Sequence, residues 1–198
     1  MIKVVIFDLG SVCLHIDWLK INEEMQNKFG ISTLVKSSGN KELIDKYDLA
    51  LEGKIPTEEF FKLLAKDKDH KEVMSYYLQL YKKYKKQDER IWNLIKELKN
   101  KVKFACLTDT NDLHFQTHKE ERILDKFDYP FASFQLGSKK SDKAVFTKVL
   151  SKLEIKPEEA IFVDDNIKNI ENAQSLGINS ILFESYEKLV ESLKKFNL

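Results

Sequence analysis

Five residues of this chain have the types and placement to do chemistry together: Asp8, Thr108, Lys140, Asp164 and Asp165. Four of them stand where a short apolar run stops. Residues 2–7 lead into Asp8, residues 102–107 into Thr108 and Asp109, and residues 160–163 into Asp164 and Asp165. Runs rich in β-branched and aromatic residues that end on a polar side chain read as buried strands presenting that side chain at their C-terminal ends. In open α/β sheets that is where ligands bind. Acids brought to one point repel unless a cation lies between them, and a set of hard oxygen donors suits Mg²⁺.

The set comprises a nucleophilic carboxylate, a hydroxyl, an ammonium and a pair of acids, each with a task in phosphoryl transfer through an aspartyl-phosphate. Asp8 is expected to attack phosphorus. Asp8, Asp165 and the carbonyl of Gly10, with Asp164 in the same group, are expected to hold Mg²⁺, whose charge would neutralise phosphate oxygens. Thr108 would donate to a phosphate oxygen, and Lys140 would offset phosphoryl charge and restrain Asp8. Backbone N–H groups after Asp8 would add donors.

Each residue also has a plainer role to be weighed. Asp164 or Asp165 could cap a helix starting near Ile167. The Thr108 hydroxyl could bond to backbone. Lys140 could be a surface lysine, with its neighbour Lys139 a close rival. His15 reads as a flap or surface residue. His70, His114 and His118 fall among polar helical residues without metal-ligand grouping. Tyr76, Tyr77, Tyr81 and Tyr84 read as packing and amphipathic surface rather than a substrate face.

The elements that must position these groups alternate. After the first strand, residues 17–86 read as four helices with no strand, over 17–29, 40–51, from Pro56 with Thr57 as its cap, and 69–86. Gly30 and Gly53 stop the first two. Then come a helix (89–100), a strand (102–107), a helix (112–124), a short strand (131–134), a helix (142–153), a strand (161–163), a helix (167–176), a strand (180–183) and a helix (186–196). Alternation of this kind implies an α/β fold, a doubly wound parallel sheet with helices on both faces. Residues 1–16 and 87–198 would form this Rossmann-like core, and 17–86 an inserted α-helical cap.

At 198 residues with 42% hydrophobic content, the chain has material for a sizeable core. Charged residues make up 33%, but the formal net charge is +1, so nothing in the balance points to nucleic acid or a membrane. Cys13 and Cys106 sit in or beside apolar runs and read as buried thiols rather than a disulfide. The N-terminal apolar run is too short to span a membrane and has no signal-peptide cleavage site, so a cytoplasmic location is expected.

With these pieces in place the chain resembles the haloacid dehalogenase superfamily over nearly its full length. The matching motifs are Phe7-Asp8-Leu9-Gly10-Ser11-Val12, Leu107-Thr108-Asp109, Lys140, and Val163-Asp164-Asp165-Asn166, in that order. Leu136-Gly137-Ser138-Lys139-Lys140 and the run from Phe162 to Ile170 look most like the sugar-1-phosphatase and epoxide-hydrolase-N-domain-like branch. The resemblance implies a Mg²⁺-dependent phosphatase of small phosphorylated metabolites, with sugar phosphates among the candidates, and a cap that selects the substrate.

One departure bears on rate. Phosphatases of the superfamily usually carry an Asp two residues after the nucleophile to protonate the leaving group, and here that position is Gly10. A positioned general acid–base is worth roughly 10²–10⁴-fold, so turnover is expected to be slow unless the leaving group needs little protonation or another acid, Asp109 or His15, substitutes. Asp109 and Ser141 stand where Asn and Pro are commoner. Two other functions compete. A haloacid dehalogenase would use the same nucleophile without metal, but the Asp164-Asp165 pair argues for Mg²⁺. A catalytically weak protein that binds phosphate ligands or a partner would account for Gly10. A receiver domain carries its acid pair after the first strand and lacks a cap, so the motif order excludes it.

Overall fold

The computed structural model describes residues 1–198. Its centre is a five-stranded, wholly parallel sheet built from β1 (Val4–Phe7), β4 (Lys103–Thr108), β5 (Tyr129–Ala132), β6 (Ala160–Asp164) and β7 (Asn179–Leu182), in the order β5-β4-β1-β6-β7. All four residues of β1 and all five of β6 are buried, the pattern of strands covered on both faces. Alternate β1 side chains serve different cores. Val5 and Phe7 join a cluster that includes α5 (Glu89–Leu98) and α10 (Tyr186–Lys194). Val4 and Ile6 join one formed with α8 (Ala144–Leu153) and α9 (Ile167–Gln174). β1 lies between β4 and β6, so the chain order reverses across it and opens a crevice at the strands' C-terminal ends.

Between β1 and β4 the chain forms α1 (Trp18–Phe29), α2 (Lys41–Leu51), α3 (Thr57–Ala65) and α4 (His70–Tyr84). These helices share a core of their own, including Ile21, Met25, Phe60, Phe61, Leu64, Val73 and Leu80. Asp17 caps α1 by accepting the Lys20 N–H, and Gly30 ends it in the left-handed conformation that glycine adopts without strain. Thr57 does not cap α3. Pro56 holds that position, and the Thr57 hydroxyl instead bonds the Asp112 carboxylate.

The expectation of an all-helical 17–86 is corrected at its end. Lys85–Gln87 forms β3, antiparallel to β2 (Leu14–Ile16), so chain entry and exit run through a two-stranded ribbon. Lys85-Lys86-Gln87 has no strand character of its own, and its pairing with a distant segment decides its conformation. The short strand also moves. It occupies 129–132, with Pro130 tolerated on a sheet edge, and Ser133–Leu136 turns into one helical turn, α7. The Ser133 hydroxyl takes the Thr110 N–H and lies within bonding distance of the carbonyls of Leu51 and Thr110. The helix after β4, α6 (Asp112–Glu120), stops short of Leu124, where a separate short turn begins.

Candidate active site

β1 ends on the backbone hydrogen bond from Asp8 N–H to Val163 O, and this places Asp8 at the mouth of the crevice. The Asp8 Oδ1 atom accepts the Leu9 N–H at 2.7 Å and lies 2.8 Å from Lys140 Nζ. The same ammonium donates to Asp164 Oδ2 at 2.7 Å. Asp8, Lys140 and Asp164 are all buried, whereas Asp165 is exposed. One carboxylate oxygen from each of Asp8, Asp164 and Asp165 falls within 4.8 Å of the others. Thr108, buried, closes β4 on the neighbouring strand.

Lys140, not Lys139, reaches the acids, and the backbone explains why. The Lys140 N–H donates to both carboxylate oxygens of Asp109, at 3.0 and 3.3 Å. Its carbonyl accepts from Asn172 Nδ2 at 3.1 Å. Gly137, left-handed at φ 68°, turns the loop, and the Ser138 hydroxyl bonds Asp142. With the peptide held on both sides, the Lys140 side chain enters the crevice. Lys139 points the other way, 3.0 Å from Asp48 and 3.8 Å from Glu52 on and just beyond α2.

Asp164 is saturated with donors. Oδ1 accepts from Asn166 N–H at 2.8 Å, Oδ2 from Lys140, and Asn169 Nδ2 lies 3.1 Å from both oxygens. Asn169 escaped the sequence reading. Its position on the first turn of the helix after β6, five residues past Asp164, was the available signal. The N-cap of α9 is Asn166, neither of the two acids. His15 turns away to the ribbon, with its ring 3.8 Å from Asp88 and its side chain about half exposed. Asp109 is spent on the Lys140 amide.

The electrostatics of the bare protein are strained. Burial pushes the Asp8 carboxyl up to about 7 despite the attraction of Lys140, and Asp164 adds to the rise. Burial, then the Asp164 charge, raises Asp165 as well. Burial raises Asp109. For Lys140 burial works against the charged form, but Asp8, Asp164 and Asp109 outweigh it and hold the ammonium above the ordinary lysine value. Three acids facing one ammonium leave room for further positive charge. Oxygen donors, with Asp165 on the solvent side where waters can complete a coordination shell, fit Mg²⁺.

Gly10 adopts no left-handed backbone, and a β-carbon added there would meet no atom within 4 Å. The missing acid is therefore a matter of side-chain chemistry rather than lack of room.

Two of the four histidines are not where their polar neighbours suggested. His114 and His118 are buried under α4, with Nε2 atoms 2.9 Å from Tyr77 Oη and 2.8 Å from Tyr81 Oη. The Tyr81 and His114 rings stack at 4.1 Å. No helix is long and apolar enough to cross a membrane.

Among known proteins, the chain is 29% identical over 97% of its length to acyl-CoA dehydrogenase family member 10 of Mus musculus, of which the match covers 19%. It is 33% identical over 46% of its length to the sesquiterpene phosphatase astK of Aspergillus oryzae, with 47% of that protein covered. The chain thus spans well under two thirds of these curated relatives. In fold it is similar to a HAD family enzyme from Bacteroides thetaiotaomicron solved in complex with magnesium and inorganic phosphate. That match has a TM-score of 0.78 at 21% identity and covers 96% of this chain and 99% of the other. The family pattern for haloacid dehalogenase-like hydrolases matches residues 2–177, which contain the strand ends at Asp8, Thr108 and Asp164 but neither β7 nor the last helix. On that match, which spans most of the chain, the chain belongs to the haloacid dehalogenase-like hydrolases.

Proposed function

We propose that this protein is a Mg²⁺-dependent phosphoric monoester hydrolase that works through a phosphorylated Asp8. The observation that carries the reading is the Lys140 ammonium seated between Asp8 and Asp164, 2.8 and 2.7 Å away, with Asp165 completing the group of acids. Both recorded contacts to the Asp8 carboxylate fall on Oδ1 and leave Oδ2 for bond formation. A carboxylate oxygen of Asp8 forms a bond to phosphorus as the P–O bond to the alcohol breaks. The departing oxygen takes a proton from water, since Gly10 has none to give. Water then attacks the phosphorus of the acyl phosphate, releasing phosphate and restoring Asp8. Lys140 holds Asp8 in line and offsets charge on the transferring group, and Thr108 donates to a phosphate oxygen. Asp8, Asp165 and the Gly10 carbonyl would hold Mg²⁺, which when bound supplies positive charge against the phosphate oxygens. Asp164, with all its acceptor sites engaged, would act chiefly by positioning Lys140.

Two comparisons support the reading: one curated relative is a phosphatase, and one neighbour in fold holds magnesium and phosphate. The chain's helices α1–α4 would act as the cap that selects the substrate. Gly10 favours a second reading, a protein that binds phosphate compounds and turns them over poorly. Phosphate release from a panel of phosphate monoesters, with Mg²⁺ and with chelator, tests both. Turnover that needs Mg²⁺ is expected. Saturable binding of the same compounds without release would favour the second reading.

A further inference from the structure

The helical unit forms a half-open cavity of about 240 Å³ lined by eleven residues, eight of them hydrophobic. Trp18, Val35, Tyr47, Phe60, Phe61 and Leu64 supply most of its wall. Its polar contributions are few and partly committed. The Lys36 ammonium is paired with Asp48, and the Tyr77 hydroxyl is paired with His114. A cavity of this kind offers little to the hydroxyl groups of a sugar and favours hydrocarbon.

Two of its walls stand at the seam with the sheet. Trp18 lies one residue past the β2 ribbon strand, and its ring is tilted at 46° against that of His114, 6.1 Å between centroids, in the first turn of α6. That helix starts just after β4, the strand that ends on Thr108. Trp18 is 42% exposed, so this wall is at an opening and not sealed in the core. On the other side Tyr47 precedes Asp48, which meets Lys139 at 3.0 Å, and the next residue is Lys140.

We propose that this cavity is the leaving-group subsite, and that the substrate is the phosphate monoester of an apolar alcohol. The proposal rests on the phosphatase reading above and adds the chemical class of the alcohol. An apolar cavity of about 150 Å³ holds a benzene ring, so the present one takes roughly ten carbons. The phosphate sits at Asp8 and Lys140, and the hydrocarbon runs past Trp18 and Tyr47 between Phe60, Phe61 and Leu64.

The test is a series of n-alkyl phosphates from ethyl to dodecyl, below their micelle concentrations, with the full chain and Mg²⁺. All have primary leaving groups of similar basicity, so chain length reports binding alone. KM should fall about four-fold per methylene as the chain enters the cavity, level off near decyl, and leave kcat little changed. In Val35→Phe, which narrows the cavity, the fall should stop several carbons earlier. If that variant does not fold, 1-octanol should still inhibit ethyl phosphate hydrolysis by the unmodified chain competitively. Turnover of ethyl phosphate with a KM indifferent to chain length overturns the proposal and leaves the phosphatase reading standing. No Mg²⁺-dependent turnover at any length overturns both.

Discussion

At the scale of single residues, the site is a balance of charge. Asp8 sits where burial opposes its ionisation, and Lys140 is the protein's own counterweight. Asp8→Asn removes the nucleophile while nearly preserving shape, so phosphate release should fall to background. Because burial disfavours the charge at Asp8 even beside Lys140, the metal-free variant should unfold at a temperature equal to or above that of the parent. The Mg²⁺-induced rise in melting temperature should shrink. Near-normal turnover in this variant would rule out the covalent route. Gly10→Asp asks the complementary question. The position has ordinary backbone and open space, so the variant should fold normally. If proton transfer to the leaving oxygen limits the rate, hydrolysis of primary alkyl phosphates should rise by up to roughly 10²-fold. Aryl phosphates, whose leaving oxygens need no proton, should gain far less. Equal gains for both would show that the new carboxylate acts by some route other than general acid catalysis.

At the scale of elements, the helical unit is seated on the sheet by short-range backbone contacts. Gly53, after α2, lies so close to α7 that an added β-carbon would fall 2.0 Å from the Phe134 carbonyl oxygen, and its φ of +65° is a glycine conformation. Ser133 bonds the Leu51 carbonyl beside it. Gly53→Ala should therefore cost about 2 kcal/mol or more, through strain and the forced separation of α2 from α7. Thermal unfolding would register the loss. Hydrogen exchange should localise it to residues around 48–56, and unchanged protection there would contradict the packing argument. Lys139 contributes at the same seam, but its pairs with Asp48 and Glu52 are partly solvated and worth less.

At the scale of the whole molecule, the two Tyr–His pairs join α4 to α6 across the boundary between the helical unit and the sheet domain. Burial pushes both His114 and His118 down to about 3, so both are neutral in the folded protein at neutral pH. Unfolded, they titrate near 6.5. Between these values the unfolded chain binds more protons, so stability present above pH 6.5 is lost as pH falls toward 3. At pH 5 the loss is about 2 kcal/mol per histidine. Urea midpoints at pH 7.5 and pH 5 for the parent and for a His114→Gln, His118→Gln double variant would isolate it. The parent should lose more stability on acidification than the double variant, and equal losses would remove the histidines from the account.

The sheet and its reactive edge were legible in the sequence because both are written locally. A short, β-branched apolar run such as Val4–Phe7 reads as a strand buried on two faces, and a carboxylate at its end then lies at the sheet's rim. Helix stops at Gly30 and the N-cap at Asp17 are equally local, set by backbone freedom and one side-chain bond. Other features depend on partners far away in the chain. The choice of Lys140 over Lys139 follows from Asp109 and Asn172 gripping one peptide. Lys85–Gln87 is a strand because Leu14–Ile16 meets it, and His114 and His118 are buried because α4 covers them. The apolar cavity has no sequence signature, since its walls come from α1, α2, α3, α4 and the segment between α1 and α2. Periodicity and local hydrogen bonding determine which elements form and what their ends carry. Where a loop's side chain points, and what space the helices leave between them, was decided only by long-range packing.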